Sequence, residues 1–307
     1  MTASERNGLL LFNKQPGITS FNSLTNVKKA FNTKKVGHTG TLDKFASGLL
    51  LILVGRAVKL NFLFQDFVKE YIGTIYFGKQ TDTLDPEGAI IAEAKVPSLS
   101  EVENVLGNFR GEILQAPPAY SAIHINGRRA YELARSGIEP EMKMRSANIF
   151  ELEIISWAPP TAQIRVLVSA GTYIRSLARD IALAAGSRAH LSALERTRVG
   201  PFRLEEASDI LHPIDINLFN SLSIPSFITF SVDDDTAKGF IHGKPLIRLI
   251  KLHELSNFRA EENDINSTDE KPPLKAAVFR KGPTNELIGI IEKNNGKWGY
   301  LHVFADY

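Results

Sequence analysis

The chain has 307 residues, 43% of them hydrophobic and 23% charged. That is enough for a sizeable core and, at about 150 residues per domain, for two domains, so a fibrous or wholly disordered chain is excluded. There is no cysteine, which excludes disulfides, thiolate nucleophiles, iron–sulfur clusters and cysteine zinc sites. The net charge is +2, yet the charge is uneven. From Lys14 to Lys59 lie eight lysines and arginines and one acid, Asp43. Such a field suits a polyanion, although a merely solvated basic face has the same composition. Residues 1–8 hold no apolar signal-like run, and the longest apolar run, 49–54, is far short of the roughly 20 residues of a membrane helix. A cytoplasmic protein is the expectation.

In chain order, residues 9–13 read as a strand. Ser20 can cap a helix reaching about Phe31, with Phe21, Leu24, Val27 and Phe31 on one face. Residues 32–43, with Gly37 and Gly40, read as a loop, 49–54 as a buried strand and 57–64 as a short helix. Residues 69–77 alternate as a strand, and 80–88 form a polar loop with a turn at Asp85-Pro86-Glu87-Gly88. Ser98 or Ser100 starts a helix to about Phe109 with capping-box spacing to Glu101 or Glu103. Asn126-Gly127 marks a hairpin-like turn, and 131–136 one or two helical turns closed by Gly137. Residues 149–157 and 162–169 are paired strands, and 173–185 a helix ended by Gly186. After about residue 228 come short strands (276–279, 287–292, 299–304) and a polar surface loop within 257–273, which suggests a small β-barrel or sheet module. Strands and helices alternate irregularly, so the fold class is α+β: a large mixed, mainly antiparallel sheet flanked by helices, followed by a small β-rich module.

Four segments could carry chemistry. Gly37-His38-Thr39-Gly40-Thr41-Leu42-Asp43 puts a carboxylate at the end of a tight loop inside the basic stretch. There it would stay ionised and serve as nucleophile or base, or simply cap a turn. Asp82 and Asp85 could hold a divalent cation, but their spacing fits no EF-hand, and turn capping competes. Arg175 and Arg179, one helical turn apart, could bind phosphate or pair with a carboxylate. Tyr120, Arg128, Arg129, Tyr131, Arg135, Lys143 and Arg145 interleave basic and aromatic groups, a pattern that tracks a nucleic-acid backbone and stacks bases, or is merely solvated. The seven histidines show no ligand spacing, and no metal site is expected.

Taken in order, several motifs resemble the TruB family of tRNA pseudouridine synthases. They are Asn13-Lys14-Gln15-Pro16-Gly17-Ile18-Thr19-Ser20, Gly37 to Asp43 with Ala46-Ser47-Gly48-Leu49-Leu50, Lys69-Glu70-Tyr71, and Gly78 to Gly88. Pro117-Pro118 with Tyr120-Ser121-Ala122, Gly127 to Tyr131, Ser169 to Arg175 and Leu194 to Phe202 complete the series. Departures are Asn13 and Gln15 where the family usually has Asp and Pro, Lys44-Phe45 where Pro-Leu is usual, and Glu195 where arginine is common.

The resemblance implies a pseudouridine synthase fold over residues 1–228, with an RNA-clasping insertion at about 115–146 and a PUA-like module at 229–307. It implies isomerisation of uridine to pseudouridine at position 55 in the tRNA T-loop, with base flipping and no cofactor. Asp43 would be the nucleophile, adding at uracil C6 or acting at C1′ through a glycal; the residues leave both routes open. Arg175 would pair with Asp43, and Tyr71 would stack on the flipped base. Leu194 would wall the pocket, and His38 would help hold the loop open for the extruded base. Tyr173, Lys14, Arg128 and Arg129 would bind substrate. The expected partner is the tRNA T-stem-loop, with no membrane, no obligatory protein partner and a monomeric state. The rival readings are an RNA-binding or RNA-folding protein on the same scaffold, which has no need of Asp43, and a metal-dependent phosphate enzyme using Asp82 and Asp85, which EDTA would inactivate.

Overall fold

The structure, a computed structural model, describes residues 8–125, 127–138, 140–207, 214–215, 227–249, 274–282, 286–294 and 297–304. It divides into two compact units, Leu10–Leu53 with Leu60–His212, and Met1–Leu9 with Val54–Lys59 and Pro213–Tyr307.

The first unit is built on a mixed sheet. Its strands, in chain order, are β1 (Gly8–Lys14), β2 (Val36–His38), β3 (Ser47–Val54), β4 (Lys69–Phe77), β5 (Lys79–Thr81), β6 (Ile90–Glu93), β7 (Gly111–Gln115), β8 (His124–Ile125), β9 (Arg128–Arg129), β10 (Arg145–Ala158), β11 (Thr161–Val168), β12 (Ala189–Val199) and β13 (Phe202–Arg203). The main order is β1-β3-β12-β4-β11-β10-β7, with β2 on β3 and β13 on β12. Strand β12 is parallel to β3, while the pairings of β4, β11, β10 and β7 are antiparallel. Residues 49–54 of β3 are apolar and buried on both faces, as a central strand demands. Strand β4 alternates buried and half-buried residues, as its sequence period of two requires.

Helix α1 (Ser20–Ala30) is capped by Thr19, whose hydroxyl accepts from the Asn22 amide; Ser20 is its first residue rather than its cap. The buried stripe is Ser20, Ser23, Leu24, Val27 and Phe31. Phe21, expected on that face, is 66% exposed, because at about 100° per residue it stands roughly 100° round the helix from the stripe's centre. Helix α2 (Leu99–Leu106) has the Ser98–Glu101 capping box, α3 (Ala130–Arg135) follows the β8–β9 hairpin, and α4 (Ile174–Ala184) packs on β12. The expected short helix at 57–64 is a 3-10 helix, Gly55–Phe64. Strand β2 falls in the segment read from sequence as a loop, β5 overlaps the start of the loop expected at 80–88, and β6 lies where no element was expected.

In the second unit, β14 (Ile214–Asp215) pairs with Gly8 and Leu9. Strands β15 (Phe227–Val232), β16 (Leu274–Arg280), β17 (Glu286–Asn294) and β18 (Lys297–Val303) form a four-stranded sheet, β15 running parallel to β16. Helices α5 (Asp234–Ile241) and α6 (Leu246–Leu249) accompany it, and Phe240, Val278, Ile288 and Ile291 lie in the core. The sequence reading missed α5. Its cap is Asp233, and its interior Gly239, a poor helix former, is there because Leu249 leaves no room for a Cβ. The polar loop expected at 257–273 lies outside the described residues.

Candidate active site

Asp43 ends the loop after β2, and four attachments fix that loop. Ser20 Oγ accepts from the Leu42 amide at 2.8 Å and donates to the Leu42 carbonyl at 3.0 Å, tying the loop to α1. Thr39 N donates to the Leu51 carbonyl at 3.0 Å. Lys14 is fully buried and its Nζ donates to the carbonyls of Ala46 (2.6 Å), Gln15 (3.0 Å) and Lys44 (3.3 Å). Arg196, 2% exposed, donates from Nε to the Leu49 carbonyl at 2.8 Å and from Nη2 to the Gly40 carbonyl at 3.3 Å. Two buried cations thus hold the loop through its own backbone acceptors, which would otherwise be buried and unpaired.

Arg175, in the first turn of α4, faces Asp43. Its Nε lies 2.9 Å from Oδ2, and Nη2 donates to Oδ1 at 3.1 Å. That Nε approach is an ion pair without hydrogen-bond geometry, whereas Nη1 donates to the Thr83 carbonyl (2.8 Å) and Asp85 Oδ2 (3.2 Å) and Nη2 also to the Tyr120 carbonyl (3.1 Å). Asp85 is held in turn by the Thr83 hydroxyl at 2.6 Å and the Glu87 amide at 3.0 Å. Asp82 accepts from the amides of Thr83 and Ala89 and from the Tyr120 hydroxyl. Gly88 closes this turn where a Cβ would strike Asp82 and Thr83. The two acids considered for a divalent cation are therefore the ones that build the seat of Arg175. Among the described residues no cluster of three or more His, Asp or Glu could hold a metal.

Burial drives the Asp43 carboxyl up from its ordinary value. Arg175 and Lys14 pull it down, Asp85 pushes it further up, and the net direction is upward. The sequence reading had a basic field keep this carboxylate ionised; in the structure desolvation outweighs that field and raises it. Burial, aided by Arg196, lowers the His38 imidazole, whose buried Nδ1 has no partner, so at neutral pH it is uncharged. Burial lowers Lys14 to about 8 and raises the Tyr173 phenol.

The expected residues converge on one open cleft of about 1430 Å³, whose wall includes His38, Asp43, Tyr71, Arg129, Tyr173, Arg175 and Leu194. Tyr71 on β4 and Leu194 on β12 are each 7% exposed. Leu194 pairs across the strands with Gly73, and Tyr71 with Arg196. Arg129 donates to the Tyr131 hydroxyl at 3.3 Å, and both it and Arg135 lie over the Tyr131 ring at the rim. Arg128 is exposed on β9 and does not line the cleft. Nor does Lys14, which sits behind the loop, while Arg179 is spent on Asp180 and the Ala116 carbonyl. Arg196 was missed by the sequence reading. It stands two residues from Leu194 on one face of β12, but Arg198 follows at the same spacing, so the sequence alone does not single it out.

Comparison with known proteins gives the family. The fold is shared with a chain of a Cbf5-Nop10-Gar1 complex at a TM-score of 0.61, with 22% identity, covering 99% of this chain and 85% of that one. Residues 28–174 match the family described as TruB family pseudouridylate synthase (N terminal domain). The family match and the relatives that follow make the protein a pseudouridylate synthase. Two full-length relatives narrow the class. The tRNA pseudouridine synthase B of Francisella philomiragia is 47% identical over 288 residues, 90% of this chain and 92% of the relative. That of Borreliella afzelii is 40% identical over 262 residues, 84% of this chain and 93% of the relative. The chain belongs to the TruB family.

Proposed function

We propose that this chain isomerises a uridine of tRNA to pseudouridine, at position 55 of the T-loop, with Asp43 as the nucleophile. The observation that carries the reading is Asp43 held by the buried Arg175 in an open cleft. The substrate class follows from relatives named tRNA pseudouridine synthase B. In the reaction the C1′–N1 bond breaks, the uracil turns over, a C1′–C5 bond forms, the C5 hydrogen leaves as a proton and the freed N1 takes one up. The atoms balance without an oxidant, a reductant or a cofactor.

Base flipping is required, since the reacting atoms are otherwise stacked. Tyr71 and Leu194 offer an aromatic face and an apolar wall for the extruded uracil. His38, neutral beside Gly37, lies where the loop must stay open for that base. Tyr173 borders the base pocket, and Arg129, with Arg128 outside the cleft, suits the phosphate backbone. Residues 1–228 act as the catalytic domain, 115–146 as the RNA clasp and 229–307 as a PUA-like RNA-binding module, in a monomer working in the cytoplasm. Among the described residues no helix is long and apolar enough to cross a membrane.

The test is tritium release from tRNA labelled at uracil C5, in EDTA, with wild type and Asp43→Asn. Release by wild type alone, with tRNA binding kept by the variant, supports the reading. Turnover by Asp43→Asn removes Asp43 from its role. Salt-dependent tRNA binding without release by wild type leaves an RNA binder on this scaffold. Tyr71→Phe separates stacking from any hydroxyl function, and unchanged turnover reduces Tyr71 to a platform.

A further inference from the structure

Two lysines of the first unit are drawn down to about 8 by burial, Lys14 and Lys69. Their surroundings differ in one respect. An ammonium has three donors. Lys14 spends all three on backbone carbonyls and lies outside the cleft. Lys69 spends two, on the carbonyls of Phe67 at 2.7 Å and Gln65 at 3.2 Å, and its side chain lines the cleft. The third donor therefore has no acceptor among the described residues.

Its place on the strand says where that donor is available. Lys69 and Tyr71 stand two residues apart on β4 and share a face. Across the strand pairing, Tyr71 faces Arg196. The positive charges of Lys69 and Arg196 disfavour one another, and Asp66 offsets this only in part. A half-buried lysine with an unused donor, beside the buried Arg196 on the same wall, makes a seat that an anion would complete. The two carbonyls hold the lysine in place before any ligand arrives, so little side-chain entropy is left to lose on binding.

We propose that Lys69 binds a backbone phosphate of the RNA next to the nucleotide seated on Tyr71, and so positions that nucleotide from its sugar-phosphate side. This rests on the reading of the cleft as the site for an extruded uridine. A phosphate contact fixes register without reading sequence. Losing it weakens all RNA substrates alike, and leaves the Asp43–Arg175 pair untouched.

The experiment measures the affinity of an unmodified tRNA stem-loop for wild type, Lys69→Gln and Lys69→Arg over a range of salt concentrations, with tritium release as a parallel readout. Gln retains a side-chain amide for the carbonyls of Gln65 and Phe67 and lacks the charge, so it separates local packing from phosphate binding. One phosphate contact is worth about 0.7–0.9 in the slope of log affinity against log salt. Lys69→Gln should lower that slope by about that amount and weaken binding on the order of tenfold at low salt, while Lys69→Arg keeps the slope. A stem-loop with one neutral methylphosphonate beside the target uridine should show the same loss with wild type and no further loss with Lys69→Gln. An unchanged slope, or losses from protein and RNA changes that simply add, overturns the proposal while wild-type tritium release still upholds the function. Wild type that neither binds nor releases tritium overturns the functional reading itself.

Discussion

Replacing Arg175 by methionine separates two jobs that one guanidinium performs. The side chain is 5% exposed, Asp85 is 8% exposed and Asp43 is 36% exposed. The Asp85 contact therefore lies in the regime where removing one partner of a buried ion pair costs about 3–5 kcal/mol. The Asp43 contact is partly screened by water and adds little to stability. Unfolding in urea should show a loss of about 3–5 kcal/mol, nearly all of it from the stranded Asp85. Turnover should suffer through Asp43 instead. The Arg175 charge that pulls its carboxyl down is gone, while burial and Asp85 still push it up. One charge-assisted hydrogen bond to Asp43, from Nη2 to Oδ1, vanishes, worth about 1.5–3 kcal/mol, so single-turnover tritium release should fall at least about tenfold. Arg175→Met with Asp85→Asn removes the stranded carboxylate and should recover most of the stability and none of the turnover. Turnover by a folded Arg175→Met within about threefold of wild type would refute the reasoning. So would recovery of turnover in the double variant.

Three further outcomes follow from the same contacts. Gly48 has a φ of +102°, and a Cβ there would collide with the Arg196 backbone. Gly48→Ala should cost about 2–5 kcal/mol with a fall in turnover, and a melting temperature within a degree of wild type would contradict it. The acid limb of the rate should lie above the ordinary carboxylate range, because Asp43 must lose its proton to act and its value is raised. Asp85→Asn removes one of the groups raising it and should move the limb to lower pH; a limb that stays in place removes the electrostatic link. Lys14, at about 8 folded against 10.5 unfolded, binds fewer protons in the folded state between those values, so it makes stability rise with pH there, by up to about 3 kcal/mol. The difference in urea stability between wild type and Lys14→Met should grow with pH across that window, and a constant difference would mean that Lys14 is not desolvated.

What could be read beforehand followed local rules. The Gly37–Gly40 loop announces itself because glycines mark a tight turn, and its lone acid among lysines is visible in one dimension. The capping box at Ser98 and the alternation of residues 69–77 are equally local. Arg196 is different. Strand β12 has irregularities between Leu191 and Ala193 and between Arg196 and Arg198, so its in–out alternation breaks twice, and Arg196 reads no differently from the neighbouring Arg198. Its burial depends on the parallel contact with Gly48, nearly 150 positions away. Phe21 misled for a related reason: hydrophobicity suggested the helix face, but Ser20 and Ser23 occupy it because Ser20 is spent on Leu42. Helix α5 was hidden by Gly239, whose purpose appears only once Leu249 is packed against it.

The arrangement around Asp43 also explains why so many cations serve one carboxylate without quenching it. Lys14 and Arg196 never touch it; their donors go to loop carbonyls. They cannot collapse onto the carboxylate, and their field stays fixed while the chemistry proceeds. On the proposed reaction, addition at C6 and departure through C1′ share one change of charge: negative charge leaves the Asp43 oxygens and appears on the uracil. A carboxylate raised by desolvation gives up its charge at lower cost than one in water. The uracil that receives it remains in the same basic cleft, with dipoles and cations already oriented. Arg175 alone follows Asp43 directly, and its remaining donors are anchored by Asp85, Thr83 and Tyr120, so it has no freedom to follow the charge away. On the proposed reaction the seat built from residues 81–88 therefore belongs to the catalytic apparatus, although none of its own groups need touch the base.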